Sequence, residues 1–493
     1  MRYLKYITGV VAGIALVGCS SFLEENPDQR TTIDSPAKIK QLLVYAYPSA
    51  NNFYALEAMT DNFGDSRRTA NTALDNTAYY SWKDETQESW DSPSEFWEAS
   101  YKAISQANQA LESVEKVQMT KEMYEGIKGE ALLARAYAHW MLANTFCEAY
   151  DPNTAASKQG IPYVDEVEEE LIKEYKRGTL ADVYARLEAD IVEGVRLAKD
   201  EAFFSPNPSF HFTKGAGSAL AARFFAHKGD WDKVLEYTNV FGDKAINLRD
   251  IRTYAGVFPN AQGQLYGDQK EKANLLIVGS RSLLRRYYSS IRFGMVRPIL
   301  TDMMTKYNPY GRSYAYEMSY WASQDVYFQP KFHEYFVYEN QGAGTGMPYV
   351  NIPLLTVDEA FLYRIEAKIM KDQYDEAATM IGYFAKFKTA GNLNESTVTL
   401  ANVLRGVPTA DEYKPFYQMN DTQSRLMKYV SELRRREFVH MGYRWYDIKR
   451  FNLEVTHTFD IEGTRDVLTA QDKRKAIQLP QSALGAGLTP NER

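Results

Sequence analysis

Apolar residues recur every three to four positions through most of the chain, and this spacing predicts a largely helical protein. Ser92 and Glu95 frame a capping box with Pro93 at the first helical position, and a second capping box occupies 356–359. Both boxes precede amphipathic stretches. The periodicity predicts helices over 96–111, 131–146, 180–197 and 361–370.

Two segments, 222–235 and 365–378, share a pattern of helix, tight turn, aromatic residue and second helix. The aromatic residue is Trp231 in the first segment and Tyr374 in the second. This arrangement resembles the helix pair of a tetratricopeptide unit, where the aromatic residue holds the two helices together. The segments are too divergent and too far apart for a regular solenoid. We therefore predict about four helix pairs that form a scaffold interrupted by long insertions.

Two long stretches, around 62–91 and 243–349, break the helical pattern and are rich in Gly, Asn, Ser and Tyr. Loops of this length in a compact protein are usually functional or disordered. Their many aromatic residues disfavour disorder, and the sequence leaves open whether they contain short strands. The predicted fold class is all-α: tetratricopeptide-like helix pairs form a scaffold with long, irregular loop insertions, in one domain over 35–493.

The N-terminus has the pattern of an export signal. Arg2 and Lys5 precede an uncharged, mostly apolar run that is shorter than the ~20 residues a membrane-spanning helix needs. The run ends in Leu-Val-Gly directly before Cys19, an ending that resembles the bacterial lipobox, in which the cysteine is acylated. We therefore predict a lipoprotein signal peptide over 1–18 and a lipidated tether over 19–34, anchored to the membrane by acyl chains.

The composition narrows the class of protein. Besides Cys19 there is one cysteine, Cys147, whose apolar neighbours indicate a small core residue and not a nucleophile. Removal of Arg2 and Lys5 with the signal peptide changes the net charge from −7 to −9, which disfavours nucleic acid as a partner. Aromatic residues make up 14% of the chain, an excess that suits the stacking of flat ligands on exposed rings.

No cofactor or metal site is indicated. The six histidines are scattered without metal-ligand spacing, and His139 is predicted to be a core or interface residue. The glycine-rich run at 342–346 lacks a Walker lysine and is predicted to form a flexible turn. Three consecutive arginines at 434–436 could form an anion site, but a structural ion-pair network is favoured because charged runs on helices usually pair or face solvent.

Residues 432–451 form a dense charged and aromatic segment near the C-terminus. Its pattern is carried by Arg434, Arg435, Glu437, Gly442, Arg444, Trp445, Asp447 and Arg450. This pattern resembles the C-terminal motif of the SusD/RagB family, the surface nutrient-binding lipoproteins of Bacteroidetes. Leu433 and Met441 depart from the motif at positions where acids usually stand, and we expect these changes to affect stability. Further short matches occur in the expected order at 19–24, 97–111, 160–164, 229–231 and 477–481.

The resemblance implies a SusD-like α/α superhelix at the outer surface of the outer membrane. Family members act as a lid over a TonB-dependent, SusC-like transporter and bind oligosaccharides, or in some members oligopeptides, without chemistry. We therefore expect a non-catalytic glycan-binding lipoprotein that delivers oligosaccharides to such a transporter. The alternatives are an oligopeptide-binding member of the family and, less favoured, a glycoside hydrolase, for which the sequence singles out no pair of facing carboxylates.

Sugar rings present apolar C–H faces, so a binding site needs exposed Trp or Tyr rings flanked by hydrogen-bonding side chains. Two loop segments, 67–90 and 310–321, have this composition. The alternative is that their aromatic residues anchor the loops onto the scaffold. The predicted ligand-binding residues are Arg67, Asn71, Tyr80, Trp82, Trp90, Tyr316, Tyr320 and Trp321, with no catalytic residue.

Overall fold

The computed structural model describes residues 33–68, 75–85, 89–168, 174–288 and 290–493. The predicted signal peptide, the predicted acylation site Cys19, most of the predicted tether and the candidate ligand residue Asn71 lie outside the described residues. Within the described ranges, no helix is both long and apolar enough to cross a membrane.

The described residues are mainly helical, with short strands between the helices. The α-helices are α1 (Pro36–Leu43), α2 (Phe53–Ala58), α3 (Asn76–Tyr80), α4 (Pro93–Lys116), α5 (Lys121–Phe146), α6 (Leu180–Leu197), α7 (Lys214–Lys228), α8 (Trp231–Thr238), α9 (Pro259–Tyr266), α10 (Leu284–Tyr287), α11 (Arg297–Thr305), α12 (Val357–Met370), α13 (Tyr374–Lys386), α14 (Leu400–Gly406), α15 (Asp421–Glu437), α16 (Tyr443–Arg450) and α17 (Gln481–Gly485). The strands are β1 (Gly64–Asp65), β2 (Asn274–Arg281), β3 (Phe293–Gly294), β4 (Ser319–Trp321), β5 (Val326–Phe328), β6 (Glu334–Asn340), β7 (Thr345–Thr356), β8 (Val455–Phe459) and β9 (Thr464–Leu468).

The predicted helices are confirmed, in α4, α5, α6 and α12, but both capping boxes are only half formed. The hydroxyls of Ser92 and Thr356 accept hydrogen bonds from the backbone N–H three residues on, at 3.2 Å each. The glutamate of the α4 box binds Arg281 instead of completing the box, and that of the α12 box binds Arg223. The box residues thus start the helices and also connect them to distant segments.

Both predicted helix pairs are confirmed. Helix α7 ends at Gly229, which has the left-handed φ of 70° that suits glycine, and Trp231 begins α8. Helix α12 is followed by a turn at Asp372, and Tyr374 begins α13. Helix α12 packs against α7, α8, α13 and α15, which places it at the centre of the helical scaffold.

The insertions are not only loops, so the all-α prediction holds for the scaffold but not for the whole chain. Strands β2, β7 and β6 form an antiparallel sheet in that order, with Val278 opposite Ile352. Strand β1 pairs with β3, β4 with β5, and β8 with β9. The β-branched and aromatic residues of these segments favour strands, although their Gly and Asn content resembles that of loops. The glycine-rich run at 342–346 lies at the turn of the β6–β7 hairpin.

The C-terminal motif forms the buried ion-pair network that the arginine run predicted. The Nε of Arg434 lies 3.1 Å from an oxygen of Asp447, which also accepts from Arg450 Nε at 2.9 Å. Arg450 in turn binds both carboxylate oxygens of Glu366 on α12, at 2.6 and 2.7 Å. Because all four side chains are buried, the network joins α15 and α16 to the scaffold and leaves no open anion site around Arg434.

The two departures from the motif are buried apolar residues. Leu433 and Met441 lie in the core, where an acid without a partner would be costly. An acid from another helix satisfies the backbone beside Met441: the carboxylate of Glu57 in α2 accepts from the N–H of His440 at 2.9 Å and of Gly442 at 3.1 Å.

His139 within α5 and Cys147 directly after that helix are core residues as predicted. The Nδ1 of His139 lies 3.0 Å from the carbonyl of Arg135, and its Nε2 accepts from the N–H of Val164 at 3.0 Å. Burial lowers the pKa of His139 well below its usual value, so the ring is neutral. Burial also raises the pKa of the Cys147 thiol to about 11, which leaves it protonated and unreactive.

Candidate functional site

Two predicted ligand residues, Tyr80 and Trp82, belong to a buried aromatic stack. The imidazole of His457 in β8 lies between them, with ring centroids 3.8 Å from Tyr80 and 4.3 Å from Trp82. The indole N–H of Trp82 donates to the carbonyl of Met59 at 2.9 Å, and the other face of Tyr80 stacks on Phe293. Trp82 is only 3% exposed and Tyr80 only 1%. Neither ring can present a face to a ligand in this conformation.

Tyr316, a third predicted ligand residue, is also buried. Its hydroxyl donates to Glu437 at 2.7 Å, and the same carboxylate lies 2.9 Å from the ammonium of Lys388. Lys388 also binds Asp358 at 2.8 Å, so the lysine bridges two buried acids. Tyr316 therefore supplies a hydrogen bond to a buried charge network and anchors the insertion that carries it.

Arg67 is exposed and forms an ion pair with the β8–β9 turn. Its Nε and Nη2 donate to Asp460 at 3.0 and 2.9 Å. Next to this pair, the guanidinium of Arg292 binds Asp65 and Glu462. The result is a charged surface where β1, β3 and the β8–β9 turn meet.

Trp90 is half-buried and keeps part of its ring at the surface. The guanidinium of Arg281 lies 5.6 Å from the ring centroid and is held by Glu95, whose Oε1 is 2.5 Å from Arg281 Nη2. The backbone carbonyl of Trp90 accepts from the hydroxyl of Tyr287 at 2.8 Å. The ring is thus fixed in place beside a cation.

Tyr320 in β4 is the most exposed ring among the predicted ligand residues in the described ranges, at 48%. It pairs across the hairpin with Tyr327, their rings 4.8 Å apart, and its hydroxyl donates to Asp325 at 2.8 Å. The guanidinium of Arg297 lies 5.4 Å from the Tyr327 ring. Trp321 follows, half-buried against the core. We call Arg297, Tyr320, Trp321, Asp325 and Tyr327 the β4–β5 platform.

The fold brings the two predicted loop segments together through the short strand β3. On one side, Phe293 pairs with Asp65 of β1, next to Arg67. On the other side, the N–H of Tyr327 donates to the carbonyl of Met295 at 2.8 Å. The charged surface at Arg67 and the β4–β5 platform therefore flank the same strand.

Three residues of this surface, Arg297, Asp325 and Tyr327, were not predicted from the sequence. A local signal exists for Asp325 and Tyr327. Tyr327 lies directly opposite the predicted Tyr320 in a short hairpin, and Asp325 lies in the turn of that hairpin with a left-handed φ of 55°. Arg297 gives no such signal, because it belongs to the helix that follows β3. Within the described residues, no group of three or more His, Cys, Asp and Glu side chains could hold a metal ion.

Residues 21–226 match a SusD-like family model described as starch-binding and associating with the outer membrane. No curated protein matches the sequence. Solved structures with a similar fold include a SusD superfamily protein from Bacteroides thetaiotaomicron, 17% identical, with a TM-score of 0.65 over 93% of this chain and 100% of that one.

Two more structures extend the comparison. A SusD superfamily protein from Bacteroides fragilis is 16% identical, with a TM-score of 0.65 over 92% of this chain and 98% of that one. A SusD-like carbohydrate-binding protein from Bacteroides vulgatus is 14% identical, with a TM-score of 0.63 over 92% and 96%. At these identities, the likeness shows a shared fold.

Proposed function

We propose that this chain, which matches a SusD-like family model over residues 21–226, is a non-catalytic protein that captures oligosaccharides on the β4–β5 platform. The neighbouring pair of Arg67 and Asp460, and the half-exposed Trp90, are proposed to extend this surface. The predicted residues Tyr80, Trp82 and Tyr316 would support it from within, because their rings are buried.

The exposed ring of Tyr320 is the observation that carries this proposal. It offers an apolar face of the kind that stacks on the C–H face of a sugar, and the carboxylate of Asp325 holds its hydroxyl. Arg297 adds donors on the same hairpin surface. Flat aromatic faces with adjacent polar groups suit a neutral or weakly charged glycan.

Isothermal titration of the mature protein with malto-, cello-, xylo- and manno-hexaoses tests the proposal. We expect Tyr320→Ala to lower the affinity for the glycan by up to about tenfold, since an aromatic contact contributes ~0.5–1.5 kcal/mol. Tyr45→Ala is the matched control, because Tyr45 is an exposed tyrosine on a different element, after α1. Equal affinity for wild type and Tyr320→Ala would reject the platform as the binding surface.

The absence of catalysis is tested on the same samples. After prolonged incubation of purified protein with the bound hexaose, we expect chromatography to recover the intact oligomer. The appearance of shorter products that scale with protein concentration would instead support the glycoside hydrolase alternative.

We also propose a lipid anchor on Cys19, with residues 1–18 removed, 19–34 as the tether and 35–493 as the binding domain. The Leu-Val-Gly-Cys ending supports the anchor, and the family description supports the outer membrane. Cys19→Ala should release the protein from outer-membrane fractions, whereas Cys147→Ala, which changes the other cysteine, should not. A Cys19→Ala protein that still sediments with the outer membrane would rule the anchor out.

A TonB-dependent, SusC-like transporter is the proposed partner that receives the glycan. Affinity purification of the lipidated protein from detergent-solubilised outer membranes should retain such a transporter in stoichiometric amount. Retention of the transporter by an unrelated lipoprotein used as bait to the same extent would count against a specific complex.

An oligopeptide ligand is the second candidate, and the edge strand β6 favours it. Strand β6 pairs only with β7 among the described strands, and Phe336, Val337 and Tyr338 on it are exposed. An extended peptide could add to such an edge through its backbone. Titration with unmodified and backbone N-methylated pentapeptides tests this second candidate. If a peptide binds by strand addition, the unmodified peptide should bind and the methylated one should not, because methylation removes the backbone donors that strand addition needs.

A further inference from the structure

A cleft separate from the β4–β5 platform lies between helix α9 and the base of the β6–β7 hairpin. It is a cleft of about 230 Å³ lined by Gln264 and Asp268 from the α9 segment and by His333, Tyr335 and Asn351 from the hairpin. None of these residues belongs to the β4–β5 platform.

Glycines at two positions allow α9 to lie directly against the strands. A Cβ on Gly263 would lie 3.0 Å from the backbone nitrogen of His333, and a Cβ on Gly267 would lie 2.9 Å from the carbonyl oxygen of Asn351. Both contacts are with backbone atoms, which cannot rotate away. The close approach of helix and hairpin that forms the cleft therefore requires small residues at both positions.

The aromatic wall of the cleft is held in a fixed orientation. The hydroxyl of Tyr335 donates to Asn351 Oδ1 at 3.0 Å, and a Cβ on Gly279 of the adjoining strand would lie 3.0 Å from that hydroxyl. The ring also packs near Tyr349, the residue opposite on β7, with centroids 6.1 Å apart. Tyr335 remains 37% exposed, so a rigid ring faces solvent.

Hydrogen-bonding groups surround the ring of Tyr335. The amide nitrogen of Gln264 lies 3.1 Å from His333 Nε2, and because an amide N–H can only donate, Nε2 is the acceptor of this bond. Asn351 accepts through its oxygen and retains two amide N–H donors on the same side chain. The carboxylate of Asp268 adds an acceptor, and none of the described residues that line the cleft is a lysine or an arginine. This chemistry disfavours anions and suits the hydroxyl groups of a neutral sugar.

We infer that this α9–hairpin cleft is a second binding site, for one neutral pyranose ring of a glycan, independent of the β4–β5 platform. The volume is below the ~300–1,000 Å³ of sites that enclose drug-sized ligands, which fits a single ring or a chain end. The ligand class rests on the proposed function, but the position of the site does not.

Titration calorimetry of variants tests the inference, with the hexaose that binds most tightly in the panel as the probe. Wild type should bind with two sites, and Tyr335→Ala should remove one of them or weaken it at least tenfold. Asn351→Ala should weaken the same site, and Tyr335→Phe, which keeps the ring, should retain more affinity than Tyr335→Ala.

Phe336→Ala is the matched control, because Phe336 is the next residue on β6, points to the opposite face and is similarly exposed. It should leave both sites unchanged. Identical titrations for wild type, Tyr335→Ala and Asn351→Ala would overturn the inference.

The variants also separate this inference from the proposed function. Loss of a site in Tyr320→Ala alone, with none in Tyr335→Ala, supports the platform and rejects the cleft. Loss in Tyr335→Ala alone supports the cleft and rejects the platform. Absence of any sugar binding by wild type rejects both, and melting curves of each variant show whether a loss reflects unfolding.

Discussion

Replacement of Trp82 by alanine separates a structural role from a ligand-binding role. An exposed stacking ring would weaken glycan binding with little effect on stability. In the structure, Trp82 is 3% exposed, stacks on His457 and donates to the carbonyl of Met59. We therefore predict that Trp82→Ala acts mainly on the free energy of unfolding.

The size of the effect follows from the buried ring. A buried Trp→Ala change costs ~3–5 kcal/mol, because it removes apolar contacts and leaves a cavity. The lost hydrogen bond leaves the Met59 carbonyl without its indole donor, which places the cost toward the upper end. With an unfolding entropy of ~2.1 cal/mol/K per residue over 493 residues, the melting temperature should fall by about 3–5 °C if the chain unfolds as one unit.

Urea unfolding followed by circular dichroism measures this cost, with glycan titration of the same samples well below the melting temperature. Tyr320→Ala is the matched comparison. Tyr320 is 48% exposed, so its loss should cost less than about 1 kcal/mol while it weakens binding. If Trp82→Ala left the urea midpoint unchanged and abolished binding, the burial argument for Trp82 would be refuted.

Three further predictions concern buried or half-buried groups. Tyr316→Phe should cost ~1–3 kcal/mol in urea unfolding, because Glu437 loses a donor in a buried site; an unchanged midpoint would contradict this. Burial alone would raise the pKa of Asp61, but the guanidinium groups of Arg435 and Arg444 hold this pKa well below its usual range. Its stabilising effect should be complete above about pH 4 and lost as the pH falls further, so the stability difference between wild type and Asp61→Asn should shrink toward pH 2; a difference independent of pH would contradict the ion pair. The thiol of Cys147, whose pKa burial raises to about 11, should react with a thiol reagent at pH 8 only after denaturation; rapid labelling of the native protein would disprove its burial.

The features predicted from the sequence are those set by local patterns. The starts of α4 and α12 follow from Ser92 and Thr356, each of which caps an N–H three residues away. The partners of the capping-box glutamates could not be predicted in this way. Arg281 lies 186 residues from Glu95, and such pairings depend on the tertiary fold.

The exposure of aromatic side chains is non-local for the same reason. Trp82 and Tyr320 occur in similar polar, tyrosine-rich segments. Trp82 is buried because β8 places His457 on its ring, nearly four hundred residues along the chain. Tyr320 stays exposed because the buried residues of the β4–β5 hairpin lie on β5, whereas Tyr320 lies on β4. Composition identified segments that contain the candidate surface, but the three-dimensional packing decides which ring a ligand can reach.

In both the β4–β5 platform and the α9–hairpin cleft, one strand of a hairpin is buried and the paired strand carries an exposed tyrosine. In the β4–β5 hairpin, β5 is buried at Val326 and Phe328, and β4 presents Tyr320. In the β6–β7 hairpin, β7 is buried at Val350, and β6 presents Tyr335. Because the buried residues lie mainly on one strand and the exposed rings on the other, substitutions at Tyr320 or Tyr335 should change the ligand with little loss of stability. The scaffold and the ion-pair network of α15 and α16 can then remain fixed while the specificity of the surface changes.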